Sequence, residues 1–127
     1  MTADIRLISG KSPTALEFFA GIGLARAGLE QAGFSVAWAN DYEAKKHQLY
    51  RSQYGSDTDY HVGDIADING SHLPTDSAIA WASSPCTDLS LAGNRDGLGG
   101  RQSGTFWHFM RILDEMGDSR PPVAVLE

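Results

Sequence analysis

The chain has 127 residues, 42% of them hydrophobic and 20% charged, with 16 acidic against 10 basic side chains and a net charge of −6. That is the composition of one ordinary globular domain: no apolar run approaches the roughly 18 residues of a membrane span, and nothing resembles a signal peptide. The single cysteine excludes an internal disulfide and makes a cytoplasmic setting the default, and the acidic balance argues against a chain that grips nucleic acid with a basic face of its own.

Strand-like and helix-like segments alternate along the chain. Residues 16–20 (LEFFA) form a short apolar run that stops at Gly21, as a buried parallel strand does. A helix follows over residues 23–32, where Leu24, Ala25, Ala27, Gly28, Leu29 and Ala32 share a face, Arg26 and Glu30 pair at i,i+4, and Gly33 is the stop. Residues 34–39 (FSVAWA) read as a second strand. Asp41 is placed to cap the next helix, in which Ala44, His47, Tyr50 and Tyr54 recur at helical spacing before Gly55. A weaker third strand lies near residues 60–62 and ends at Gly63-Asp64, and residues 78–82 (AIAWA) give a fourth. After a glycine-studded loop, Phe106, Phe109, Met110, Leu113 and Met116 mark an amphipathic helix. Pro121-Pro122 then breaks into a fifth strand at residues 123–126.

This order predicts a doubly wound α/β fold with a mainly parallel, Rossmann-like sheet, in which ligands bind at the carboxyl ends of the strands. The unusual residues gather there: Gly21 and Gly23 after strand one, Asp41 after strand two, Asp64 after strand three, Cys86 after strand four and Glu127 at the end of strand five. The turn FFAGIG lets the backbone approach a ligand at a helix start, but the third glycine of the dinucleotide fingerprint is here Arg26. With Asp41 lying 18 positions past Gly23, near the roughly 20-residue offset of a ribose-binding acid, the pair points to a nucleoside cofactor without a pyrophosphate. A plain βα turn with a helix-capping Asp41 fits the same residues.

Cys86 follows Pro85 beyond a buried strand and opens a loop with Gly93, Gly97, Gly99 and Gly100. Free cysteines are commonly small buried hydrophobes, yet a loop of this kind suits a nucleophile under a closing cover. A metal site has no support, since there is no second cysteine and His47, His61, His72 and His108 show no ligand spacing. Ser83 and Ser84 sit in no nucleophile elbow.

Taken together, these segments resemble the DNA cytosine-5 methyltransferases. EFFAGIGLARAGLEQAGF (17–34) is similar to the family's first motif, WANDYE (38–43) to the second, GDIADI (63–68) to the third, SPCTDLSLAG (84–93) to the fourth and SGTFWHFMRIL (103–113) to the fifth. VAVLE (123–127) resembles the start of the sixth. The resemblance implies S-adenosyl-L-methionine as cofactor, with S-adenosyl-L-homocysteine as product, held by Phe19, Ala20, Gly21, Ile22, Gly23, Leu24, Asp41, Tyr42, Asp64, Ile65 and Pro85. Asp41 would take the ribose hydroxyls, Tyr42 would pack on the adenine and Asp64 would meet its amino group. Cys86 would be the nucleophile on C6 of a flipped cytosine in double-stranded DNA, and Glu127 would steady the protonated N3. Ser90, Arg95 and Arg101 are the candidate DNA contacts.

Thr87 replaces a common glutamine and Ser103 a common arginine, the latter putting a phosphate or loop contact in doubt. Family enzymes continue past the glutamate with further motifs and a target recognition domain, so residues 1–127 are expected to be the N-terminal portion of the catalytic domain and inactive alone. The DNA-reading surface, and hence the basic face, would belong to that C-terminal half or to a separate subunit. The alternative is a non-catalytic S-adenosylmethionine-binding module or one part of a split enzyme. A small-molecule methyltransferase is disfavoured, because such enzymes rarely need a Pro-Cys nucleophile loop.

Overall fold

The computed structural model describes residues 10–83 and 104–127. Its elements run β1 (Thr14–Phe18), α1 (Leu24–Gln31), β2 (Ser35–Asp41), α2 (Ala44–Tyr54), β3 (Asp59–Val62), β4 (Ile79–Ala82), α3 (Gly104–Met116) and β5 (Val123–Leu126), with short 3₁₀ turns at Ile65–Asp67, Gly70–His72 and Gly117–Ser119. The strands form one sheet in the order β3-β2-β1-β4-β5, and every pairing in it is parallel. The chain winds outward from β1 to β3, crosses back to β4 and ends on β5. That is the doubly wound arrangement the alternation of segments predicts.

Each strand supplies both faces of the sheet because successive side chains point opposite ways. Leu16, Phe18, Trp38, Ala80 and Ala82 face α3 and the 3₁₀ turns, where Phe109, Ile112, Leu113 and Met116 complete a core. Ala15, Val36 and Ala39 face the other way and pack with Leu29 of α1 and Tyr50 of α2. In a regular strand Val36 and Trp38 would share a face. A register shift, in which Ala15 pairs Val36 but Leu16 pairs Trp38, absorbs Ala37 and sends the two into opposite cores.

Several boundaries and faces differ from the sequence reading. β1 begins and ends two residues earlier than residues 16–20, because Phe19 has a φ of 54° and turns the chain out of the extended region. Asp41 is not the cap of α2: it still belongs to β2, its carbonyl accepts from Gly63 N–H at 2.9 Å, and the N-cap position falls on Glu43. On α3 the buried stripe is Phe109, Ile112, Leu113 and Met116, whereas Met110 is 43% exposed. The spacing from Phe106 places Met110 inside, whereas i, i+3, i+4, i+7 counted from Phe109 gives the observed face. On α1 only Leu29 is buried, and Leu24 stands 78% exposed, because α1 meets the sheet along a single narrow line. The Arg26–Glu30 pair forms as expected, Nε to Oε1 at 2.6 Å. Among the described residues no helix is long and apolar enough to cross a membrane.

Candidate functional site

The carboxyl ends of β1, β2, β3 and β4 converge on the turn between β1 and α1. Ala20 N–H donates to Asn40 O at 2.9 Å, Gly21 has a φ of 55° and Gly23 one of 92°, a region glycine enters without penalty. A Cβ on Gly23 would run into the Tyr54 ring, so the second glycine is required by both torsion and space. Asp41 ties this turn to the neighbouring strand. Its Oδ2 accepts from Gly21 N–H and its Oδ1 from Glu43 N–H, both at 2.9 Å. Asn40 does the same one strand further out, donating from Nδ2 to His61 O at 2.8 Å and Gly63 O at 3.1 Å.

Two tyrosines hold the turn from below. Tyr60 OH donates to Gly21 O at 3.0 Å, and Tyr54 OH donates to Gly23 O at 2.5 Å. Burial raises the pKa of Tyr50 and Tyr60 above the ordinary phenol range, so both remain donors at any working pH.

Beneath them lies Glu17, fully buried in the middle of β1. Tyr50 OH donates to its Oε1 at 2.9 Å, and Arg26 N–H donates to Oε2 at 3.2 Å. Gly23, the N-cap of α1, has no side chain to cap with, and Glu17 supplies an acceptor to the first turn instead. Burial pushes the Glu17 carboxyl up from 4.5 to about 7, against the lowering by these hydrogen bonds and by the Arg26 charge. Arg26 also explains the missing third glycine. Its guanidinium donates to Glu30, to Tyr50 OH at 3.3 Å and to Thr58 Oγ1 at 2.5 Å, and lies 4.4 Å from the Tyr54 ring centroid.

Two depressions open beside the turn. One is lined by Phe19, Asp41, Tyr42, Asp64, Thr105 and His108, and the other by Gly21, Ile22, Leu24, Trp81, Ser83 and Glu127; Phe19, Gly21, Lys46 and Ser83 border both. In the first, the Tyr42 ring is 74% exposed, available for stacking. Asp64 Oδ1 accepts from Ala66 N–H at 2.9 Å, which fixes an exposed carboxylate at the mouth, and the buried Ile65 packs beneath it. The floor is held from α3: Arg111 donates to Ile65 O at 3.1 Å and Ile68 O at 2.9 Å.

Of the sequence-predicted residues, Asp41, Tyr42, Asp64, Ile65 and Phe19 meet in the first depression, while Ala20, Ile22, Leu24 and Glu127 lie on the second. Glu127 N–H donates to Ala82 O at 2.9 Å, which sets it beside the end of β4. Pro85, Cys86, Ser90, Arg95 and Arg101 lie outside the described residues. Glu17, Tyr54, Tyr60 and Lys46 were not singled out for a role at the site. Only Glu17 carried a signal, a charge inside an apolar run.

The model of the family described as C-5 cytosine-specific DNA methylase matches residues 14–127. The Type II methyltransferase M.HhaI of Haemophilus parahaemolyticus is 29% identical over 123 residues, covering 94% of this chain and 36% of its own length. M.NgoFVII of Neisseria gonorrhoeae is 33% identical over 122 residues, covering 94% and 31%. The chain therefore spans about a third of the length of the curated relatives it matches. Among solved structures, the S. pombe Dnmt2 methyltransferase superposes with a TM-score of 0.69 at 20% identity over 90% of this chain and 35% of that one, a likeness of fold.

Proposed function

We propose, from the fact that this chain belongs to the C-5 cytosine-specific DNA methylase family, that it is the cofactor-binding and nucleophile-bearing N-terminal part of a DNA cytosine-5 methyltransferase. The observation that carries the reading is the convergence of the Gly21 turn, Asp41 and Asp64 on one exposed depression, with Ser83, three residues before Cys86, at its edge. That donor set suits S-adenosylmethionine: an acid for ribose hydroxyls, an exposed ring for adenine, an acid for the adenine amino group and backbone glycines close to the tail. When bound, S-adenosylmethionine supplies an electrophilic methyl group.

The chain's own residues have the remaining tasks. Cys86 adds as thiolate to C6 of a cytosine flipped from duplex DNA, which makes C5 nucleophilic, and leaves again once the C5 proton has been removed. Glu127 holds the proton on N3. Ser90, Arg95 and Arg101 contact the DNA. The rest of the DNA grip comes from the remaining two thirds of the enzyme or a separate subunit, in accord with the net charge of −6 here. The bacterial relatives fit a cytoplasmic setting.

The test is covalent trapping. The complete protein, with S-adenosylmethionine and DNA containing 5-fluorocytosine, should give an adduct on Cys86 that survives denaturing electrophoresis and disappears in Cys86→Ser. Retained cofactor binding with no adduct would make the protein a binding module with a bystander cysteine.

A further inference from the structure

Lys46 sits in the first turn of α2, where it borders both depressions. Its stem passes over the glycine turn: a Cβ on Gly21 would lie 3.9 Å from Lys46 Cδ. Its ammonium is 3.6 Å from Glu43 Oε1, a loose pair with both side chains about half exposed. Among the described residues no other lysine or arginine lines either depression, while Asp41, Glu43 and Asp64 border the first and Glu127 the second. An anionic group bound between the two would have Asp41, Glu43, Asp64 and Glu127 around it, and Lys46, which borders both depressions, is the cation placed to offset them.

S-adenosylmethionine carries one such group, the carboxylate of its amino-acid tail. We infer that Lys46 binds the tail carboxylate of the cofactor, exchanging its loose contact with Glu43 for a charge-assisted hydrogen bond. This rests on the cofactor reading above and adds to it a residue that selects nucleosides bearing an amino-acid tail over those without one. Asp41 cannot serve, since it is an anion whose two oxygens already accept backbone N–H groups. Gly21 N–H is committed to Asp41 as well, which leaves the ammonium as the strongest donor beside the turn.

Calorimetric titration of the complete protein with S-adenosylhomocysteine and with 5′-methylthioadenosine, which lacks the carboxylate, tests the assignment. Lys46→Met keeps the stem over Gly21 and removes the charge. It should weaken S-adenosylhomocysteine roughly 10-fold or more while leaving 5′-methylthioadenosine within about 2-fold, and Lys46→Arg should restore most of the loss. Unchanged S-adenosylhomocysteine affinity in Lys46→Met, or an equal loss for both nucleosides, overturns the assignment. Failure of the unmutated protein to bind either nucleoside overturns the cofactor reading itself, and this inference with it.

Discussion

Glu17→Gln should remove a pH-dependent contribution to stability, so that its effect changes sign between acid and mildly alkaline pH. Glu17 has no exposed surface and its carboxyl is pushed up from 4.5 to about 7 by burial. A group whose pKa is higher in the folded state favours folding when protonated. Its contribution is complete below 4.5, falls as pH rises, and is lost once pH passes about 7. At about 1.4 kcal/mol per pH unit, that gap amounts to about 3 kcal/mol between pH 4 and pH 8. Glutamine has no such gap. It keeps an acceptor for Tyr50 OH but turns an amide toward the Arg26 N–H, at a fixed cost of roughly 1 kcal/mol. Urea unfolding of both proteins from pH 4 to pH 8 reads the difference, in which all other titrating groups cancel. The variant should be the less stable of the two near pH 4 and the more stable, by roughly 2 kcal/mol, at pH 8. Parallel curves across the range would refute a folded carboxyl near neutrality.

Gly70→Ala should destabilise by roughly 1–3 kcal/mol in the same assay, because a Cβ there meets the Ile112 carbonyl and the Glu115 stem, so that the backbone must shift. Tyr60→Phe removes the hydroxyl that donates to Gly21 O and leaves the ring in place against His47 and Tyr50. It should cost about 1 kcal/mol in unfolding and weaken S-adenosylhomocysteine several-fold by calorimetry, since the freed carbonyl lies in the proposed cofactor turn.

The inner strands were legible because a parallel sheet buries both of their faces, and short apolar runs bounded by Gly, Asp or Pro record this directly, whereas the exposed edge strand β3 left only a weak signal. The order of unusual residues after each strand was legible for the same reason: it depends on topology, not on contacts. Faces were harder. Met110 and Ile112 are both apolar and flank the same stripe, and which one turns inward is set by how α3 docks on Phe18, Trp38 and the 3₁₀ turns, which spacing does not record. Leu24, Ala27 and Gly28 resemble a buried stripe, yet α1 meets the sheet only along the line of Leu29, and Leu24 and Gly28 line an open depression instead. The buried polar cluster was hidden for another reason. Glu17 meets Arg26 nine residues on and Tyr50 thirty-three residues on, and no local period links them. Asp41 was found by its offset from the glycines, but its bond to Gly21 N–H comes only from the pairing of β1 with β2.

The place of β1 between β2 and β4 also sets a schedule for synthesis. β1 and β2 leave the ribosome close together and can pair across α1. The other edge of β1 waits for β4, as the Thr14–Ser77 side-chain bond, 63 residues apart, makes plain. At about 5–20 residues per second, that interval is roughly 3–12 s during which the central strand of the sheet has one open edge beside Leu16 and Phe18. Long-range parallel pairing is also slow to nucleate once its partner arrives. Until β4 arrives, the nascent chain thus carries an unpaired strand edge next to apolar side chains, the kind of surface that pairs wrongly with other chains.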